Sequence, residues 1–158
     1  MYVLRVLLVQ QWRDLEAGLA EMRRVTSGPV VIMTADPEAL ADLWVAQYSP
    51  AFHATERRRY PSLERIADVL GGRLAVRPLV IPFDCRDGFT DAFYGRPEEM
   101  LDQRVRNAQS AWSFVGAEEQ AEFEQRLRDD LDMGVWDDQY GHLRAQPEFV
   151  SSIRILVA

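Results

Sequence analysis

The chain has no lysine; all 18 of its basic residues are arginine. Schiff-base catalysis and the lysine of a phosphate-binding loop are thereby excluded, because both need a primary amine. Cysteine occurs once, at Cys85, and histidine twice, at His53 and His142. An internal disulfide and a multi-cysteine zinc site cannot form from that set, and no metal site is expected. No apolar run approaches the roughly 20 residues of a membrane helix, and the opening run is too short and poorly flanked for a signal peptide. A lone cysteine suits a reducing compartment, so the expected location is the cytoplasm. A cationic surplus is missing too: 25 acidic residues give a net charge of −7 and a pI near 4.9. Such a surface repels a phosphate backbone. The one basic run, Arg57, Arg58 and Arg59, reads as a solvated helix face, and neither nucleic acid nor membrane is an expected partner.

What is present suffices for one core. At 158 residues and 47% hydrophobic, the chain is expected to form a single domain spanning 1–158. Val3, Leu4, Val6, Leu7, Leu8 and Val9 form a short apolar run of the kind buried on both faces inside a parallel sheet. Asp14 then offers a cap for a helix carrying Leu15, Leu19 and Met22, with Gly28 near its exit. Val30, Val31, Ile32 and Met33 make a second strand, and Asp36-Pro37 follows as a cap and first-turn proline. A helix with Leu40, Leu43, Trp44 and Tyr48 is expected to stop at Pro50. Leu63, Ile66, Val69 and Leu70 mark another helix, ended by Gly71-Gly72. A third strand covers Leu74, Val76, Leu79, Val80 and Ile81, weakened by Pro78. Residues 90–133 read as several helical pieces, with starts at Pro97 and Asp102 and with Phe123, Leu127 and Leu131 at four-residue spacing. Ile153, Ile155, Leu156 and Val157 close the chain as a strand.

Three stretches carry a family resemblance: VLLVQQWRDLEAGLAEMRRVTSGPVVIMTADP, IPFDCRDGFTDAFYGRPEEMLDQRVRNAQSAW, and WDDQYGHLR before the terminal strand. They resemble the class I S-adenosylmethionine-dependent methyltransferases, in a bacterial group with a similar strand, a His-His-Trp and a Glu-x-x-Arg-Val helix. The resemblance covers nearly the whole chain, but only the C-terminal half of that family's domain. It implies an α/β fold: a partial Rossmann-like sheet of about four strands, the last antiparallel, with helices and a helical insertion. The family's glycine-rich turn, ribose carboxylate and adenine-side acid have no counterpart here, and Gly71-Gly72 precedes a strand instead of following one. The S-adenosylmethionine site is therefore expected to be incomplete and no cofactor is expected. At the retained strand end the family's His-His-Trp is Gln10-Gln11-Trp12, and glutamine cannot shuttle a proton near neutral pH.

In a doubly wound sheet ligands sit beyond the carboxyl ends of the parallel strands. The first strand delivers Gln10, Gln11 and Trp12 there, the second Thr34 and Asp36, and the third Asp84, Cys85, Asp87, Gly88 and Phe89. An antiparallel last strand, which the resemblance implies, adds Trp136, Tyr140 and His142, and the helical section adds Phe93, Tyr94 and Trp112. The expectation is an aromatic cleft in which Gln10, Gln11, Tyr94 and His142 act as hydrogen-bond donors. Each has a plainer alternative: Asp36 as a helix cap, Asp87-Gly88 as a turn, Cys85 as a small buried residue, His142 as a structural hydrogen bonder and the aromatic rings as core. His53 is expected to be exposed in a loop.

Two functions follow. One is a methyltransferase-like protein without cofactor binding that uses the cleft for a small molecule, as a binder or as a cyclase or isomerase of specialised metabolism. The other is an interaction module or half-enzyme that completes an S-adenosylmethionine-dependent methyltransferase, or a fragment of an active one. The uncovered edge of the first strand also predicts a homodimer, through paired opening strands or packed sheet faces.

Overall fold

The computed structural model describes residues 3–6 and 9–158, with side chains from Val9 onward. In chain order come β1 (Val3–Val6), α1 (Leu15–Val25), β2 (Val30–Ala35), α2 (Val45–Tyr48), α3 (Pro50–Arg59), α4 (Leu63–Leu70) and β3 (Ala75–Pro82). These are followed by α5 (Gln103–Asn107), α6 (Ala117–Asp132), α7 (Val135–Tyr140) and β4 (Glu148–Val157). The chain divides into two compact units, one of Met1–Leu40, Arg57–Leu79 and Ser151–Ala158, the other of Ala41–Glu56 and Val80–Val150.

The first unit is built on a sheet of order β1-β2-β4-β3. β1 pairs parallel with β2, Val3 opposite Val30 and Val6 opposite Met33. β4 runs antiparallel to β2, with Val31 opposite Val157 and Ala35 opposite Ile153, the sense expected of the last strand. Because β4 lies between them, β3 is not a neighbour of β2 but an edge. That position suits its sequence. Pro78 lacks the N–H an interior ladder needs, and Arg77 is exposed beside it.

α1 starts where expected, with the Asp14 carboxylate accepting the Ala17 N–H at 2.8 Å. It ends at Val25, and the Gly28 carbonyl accepts a bond from Arg23 instead of forming the exit. α4 is capped by Ser62 and leaves through Gly71 at φ 109°, a left-handed conformation that favours glycine. Leu15, Leu19 and Met22 of α1 pack with Ile66 and Leu70 of α4 on Val30, Ile32 and Leu156, so both helices share one sheet face. An exposed ion pair, Arg65 to Glu16 at 2.6 Å, links the two helices.

In the second unit the expected 40–48 helix is broken. A 3-10 turn at Ala39–Asp42 precedes the single turn of α2, and Pro50 opens α3 instead of only ending its predecessor. Proline's fixed φ and missing N–H suit a first helical position as well as a stop. His53 consequently sits half-buried on α3, not in an exposed loop. Residues 90–133 form 3-10 turns at Thr90–Phe93, Pro97–Leu101 and Ser110–Phe114 together with α5 and α6. Asp102 caps α5, and Phe123 and Leu127 are buried on α6. The core of this unit is aromatic: Trp44, Tyr48, Phe52, Phe93, Tyr94, Trp112, Phe123 and Trp136 are all buried in one cluster.

Candidate functional site

The residues expected to form one cleft divide between the two units. In the first unit, β1 and β2 are parallel neighbours, so the segments after them leave at the same end of the sheet. Gln10 is half-buried and Gln11 exposed on the turn Val9–Gln11. The Trp12 ring lies on α1 so closely that a Cβ at Gly18 would come within 2.4 Å of it. One face of Trp12 is therefore used by the core, not by a ligand. Thr34 is fully buried with a hydroxyl that finds no partner among the described residues. Asp36 serves a turn and not a helix start: its carboxylate accepts the Glu38 N–H at 3.1 Å ahead of the 3-10 turn Ala39–Asp42 and lies 3.5 Å from the Arg154 guanidinium.

In the second unit a groove of about 600 Å³ opens beside the segment that follows β3. Cys85, Arg86, Asp87 and Gly88 form one wall, Asp102, Arg104, Val105 and Ala108 the other, and Phe93, Arg96 and Glu99 also line it. Arg96 holds the walls in place. Its guanidinium bonds Glu99 at 2.7 Å and donates to the Cys85 and Ala92 carbonyls at 2.8 and 2.9 Å, between the rings of Phe83 and Phe93. On the opposite wall Arg104 bonds both Asp102 oxygens and holds that carboxyl below its usual range. Of the three arginines lining the groove, Arg86 alone has no charge partner among the described residues; Asp87 lacks one too.

Four sequence-expected residues, Cys85, Asp87, Gly88 and Phe93, meet here. Asp84 is exposed and Phe89 half-buried just outside the lining. The rest of the expected aromatic cleft is packed interior. Trp112 is 1% exposed, stacked on Phe52 at 4.6 Å and tilted against Phe123 at 4.8 Å. Trp136 is 0% exposed, edge-on to Trp44, with Arg144 4.8 Å above its ring. Tyr94 is no free donor: its hydroxyl bonds the Gln146 carbonyl at 2.8 Å, its ring lies between Phe83 and Phe149, and burial pushes its pKa up. The Tyr140 hydroxyl donates to Gln47, and His142 is exposed on the turn Gly141–Ala145, away from the groove lining. Trp112, Trp136 and Tyr94 close a core because each meets two other rings; a cleft needs one side bare.

Sequence reading missed the groove's charged frame of Arg86, Arg96, Glu99 and Arg104, and took Asp102 only as a helix start. The available signal was the alternation of charge in DCRD and in RPEEMLDQR, where opposite signs recur within two or three positions. Among the described residues no cluster of histidine, cysteine and carboxylate side chains could hold a metal, and no helix is long and apolar enough to cross a membrane.

No family model and no curated protein matches the chain. Among solved structures it is similar to an Anabaena variabilis protein described as a "Putative methyltransferase from antibiotic biosynthesis pathway", with a TM-score of 0.88 and 25% identity. The match covers 99% of this chain and 65% of that one, so the chain spans about two thirds of that protein's length. The chain has a methyltransferase-like α/β fold.

Proposed function

We propose that this methyltransferase-like chain takes a small molecule in the groove beside Cys85–Gly88 and does not bind S-adenosylmethionine on its own. The observation that carries the reading is the groove itself: about 600 Å³ with one apolar ring and unpaired charges, within the size range of small-molecule sites. Support for the missing cofactor site comes from the two parallel strands. Neither segment after them, residues 10–14 or 36–39, contains a glycine, so no turn brings backbone N–H groups close to a nucleotide. The three carboxylates there are all engaged: Asp14 caps α1, Asp36 accepts the Glu38 N–H and faces Arg154, and Glu38 pairs with Arg57. These residues do not fit the cofactor.

The reaction class that suits such a groove is a rearrangement, a cyclisation or isomerisation in which a flexible substrate is held in its reactive conformer. Positioning supplies the rate, and fixed charges offset charge that develops in the transition state. A second reading rests on the 65% coverage of the methyltransferase. In it this chain furnishes the acceptor side and a partner furnishes the cofactor side.

Calorimetry with S-adenosylmethionine, run beside mass spectrometry of small molecules that co-purify, tests both. Losing two charge-assisted hydrogen bonds costs about 3–6 kcal/mol, roughly hundreds to tens of thousands in affinity. The expected result is no binding in the micromolar range together with a bound metabolite. A micromolar dissociation constant for the isolated chain overturns the first reading.

A further inference from the structure

We infer that the groove of the second unit recognises a compact zwitterion of the α-amino-acid type, its carboxylate on Arg86 and its ammonium on Asp87. The inference rests on the proposed small-molecule function and names the substrate class of that same site. Six charged side chains line the groove, three of each sign. Two pairs neutralise themselves, Arg96 with Glu99 and Arg104 with Asp102, both at 2.7 Å. What remains is one cation and one anion, Arg86 and Asp87, adjacent in sequence, exposed, and without a hydrogen-bond or ion-pair partner among the described residues.

A guanidinium presents a planar fork matched to a carboxylate, and a carboxylate accepts an ammonium's N–H bonds. A ligand carrying both groups on one carbon meets both residues at once. A purely anionic ligand leaves Asp87 facing like charge, and a purely cationic one does the same to Arg86. Phe93, Val105 and Ala108 provide the apolar lining for a hydrocarbon side chain. The bent path of the loop is held by Arg96, whose bond to the Cys85 carbonyl anchors the residue before Arg86.

Leucine is the probe, compared with leucinamide, N-acetylleucine and N-acetylleucinamide, which remove the negative charge, the positive charge or both. Two readouts report on the groove: calorimetry, and the rate at which iodoacetamide alkylates Cys85, the only thiol in the chain and part of the lining. Leucine is expected to bind and to slow alkylation, with each singly charged analogue roughly ten- to a hundredfold weaker. R86Q weakens leucine by a similar factor and, by removing like charge, does not weaken leucinamide; D87N weakens leucine and, for the same reason, does not weaken N-acetylleucine. Both positions are exposed, so folding is not at stake. Equal protection by N-acetylleucinamide overturns the zwitterion and leaves a small-molecule groove standing. Absence of leucine binding, or leucine binding indifferent to both substitutions, also overturns it, and the co-purified metabolite then judges the broader function separately.

Discussion

A tryptophan serves a ligand when one face of its ring is left bare, and Trp112 has neither. With Phe52 stacked on it and Phe123 tilted against it, W112A is expected to cost about 3–5 kcal/mol of stability. Thermal melts should show that loss, while ligand affinity in the groove stays as it was. Trp12 differs because its ring leans on a glycine. In the parent chain, G18A drives a Cβ to within 2.4 Å of the ring, and the displacement is expected to cost about 1–3 kcal/mol. In a W12A background the obstacle is gone. There G18A should stabilise α1, by up to about 1 kcal/mol from helix propensity alone. Denaturant melts of the four proteins read this reversal of sign; the same sign in both backgrounds refutes the contact.

Several elements of the second unit are too short to stand by themselves, and ionic ties join them. Arg144, on the turn Gly141–Ala145, reaches Glu98 on the turn Pro97–Leu101 and Asp137 on α7 while lying over Trp136. Its hydrogen bond is the main reason the Glu98 carboxyl is held below its usual range. A carboxyl with a lowered folded-state pKa stabilises the fold above its unfolded pKa, near 4.3, and that contribution disappears as pH falls through the folded value. Acid should therefore erode stability below about pH 4.3 in the parent chain. R144Q should be less stable at pH 7 and lose less across that acid range, because the largest cause of the lowered Glu98 pKa is then gone. Urea melts from pH 7 to pH 2 compare the two slopes.

On the scale of the whole molecule, the sheet ends in two different edges. β3 carries Arg77 and Pro78, devices that discourage a further strand. β1, at the other end, pairs with β2 alone among the described residues and has Arg5 as its sole charge. Two copies can satisfy that backbone by pairing their β1 strands antiparallel about a two-fold axis. We propose this homodimer, expected to bury more than about 1,200 Å² in total. Light scattering at micromolar concentration should return twice the chain mass, and a monomer with an unprotected β1 in hydrogen exchange refutes it.

Local chemistry was legible in the sequence by itself. The helix starts at Asp14 and Asp102 and the glycine exit at Gly71 depend on neighbours within a few residues. So did the apolar periodicity that set Leu15, Leu19 and Met22 on one helix face, and the β-branched run of β2. The expected side-chain burial of Val3 to Leu8 lies outside the described residues, while Val9 is buried on the turn that follows β1. Only tertiary structure decided the insertion of β4 between β2 and β3, because strand order depends on pairings far apart in sequence. It also decided which aromatic rings face a cavity. Trp112, Trp136 and Phe93 carry the same apolar signal along the chain and all three are buried in one core, but only the fold brings Phe93 to the groove lining as well. The groove's unpaired charges were hidden for the same reason: whether an arginine is free depends on which carboxylate folding brings within reach, and Arg96 and Arg104 were met while Arg86 was not.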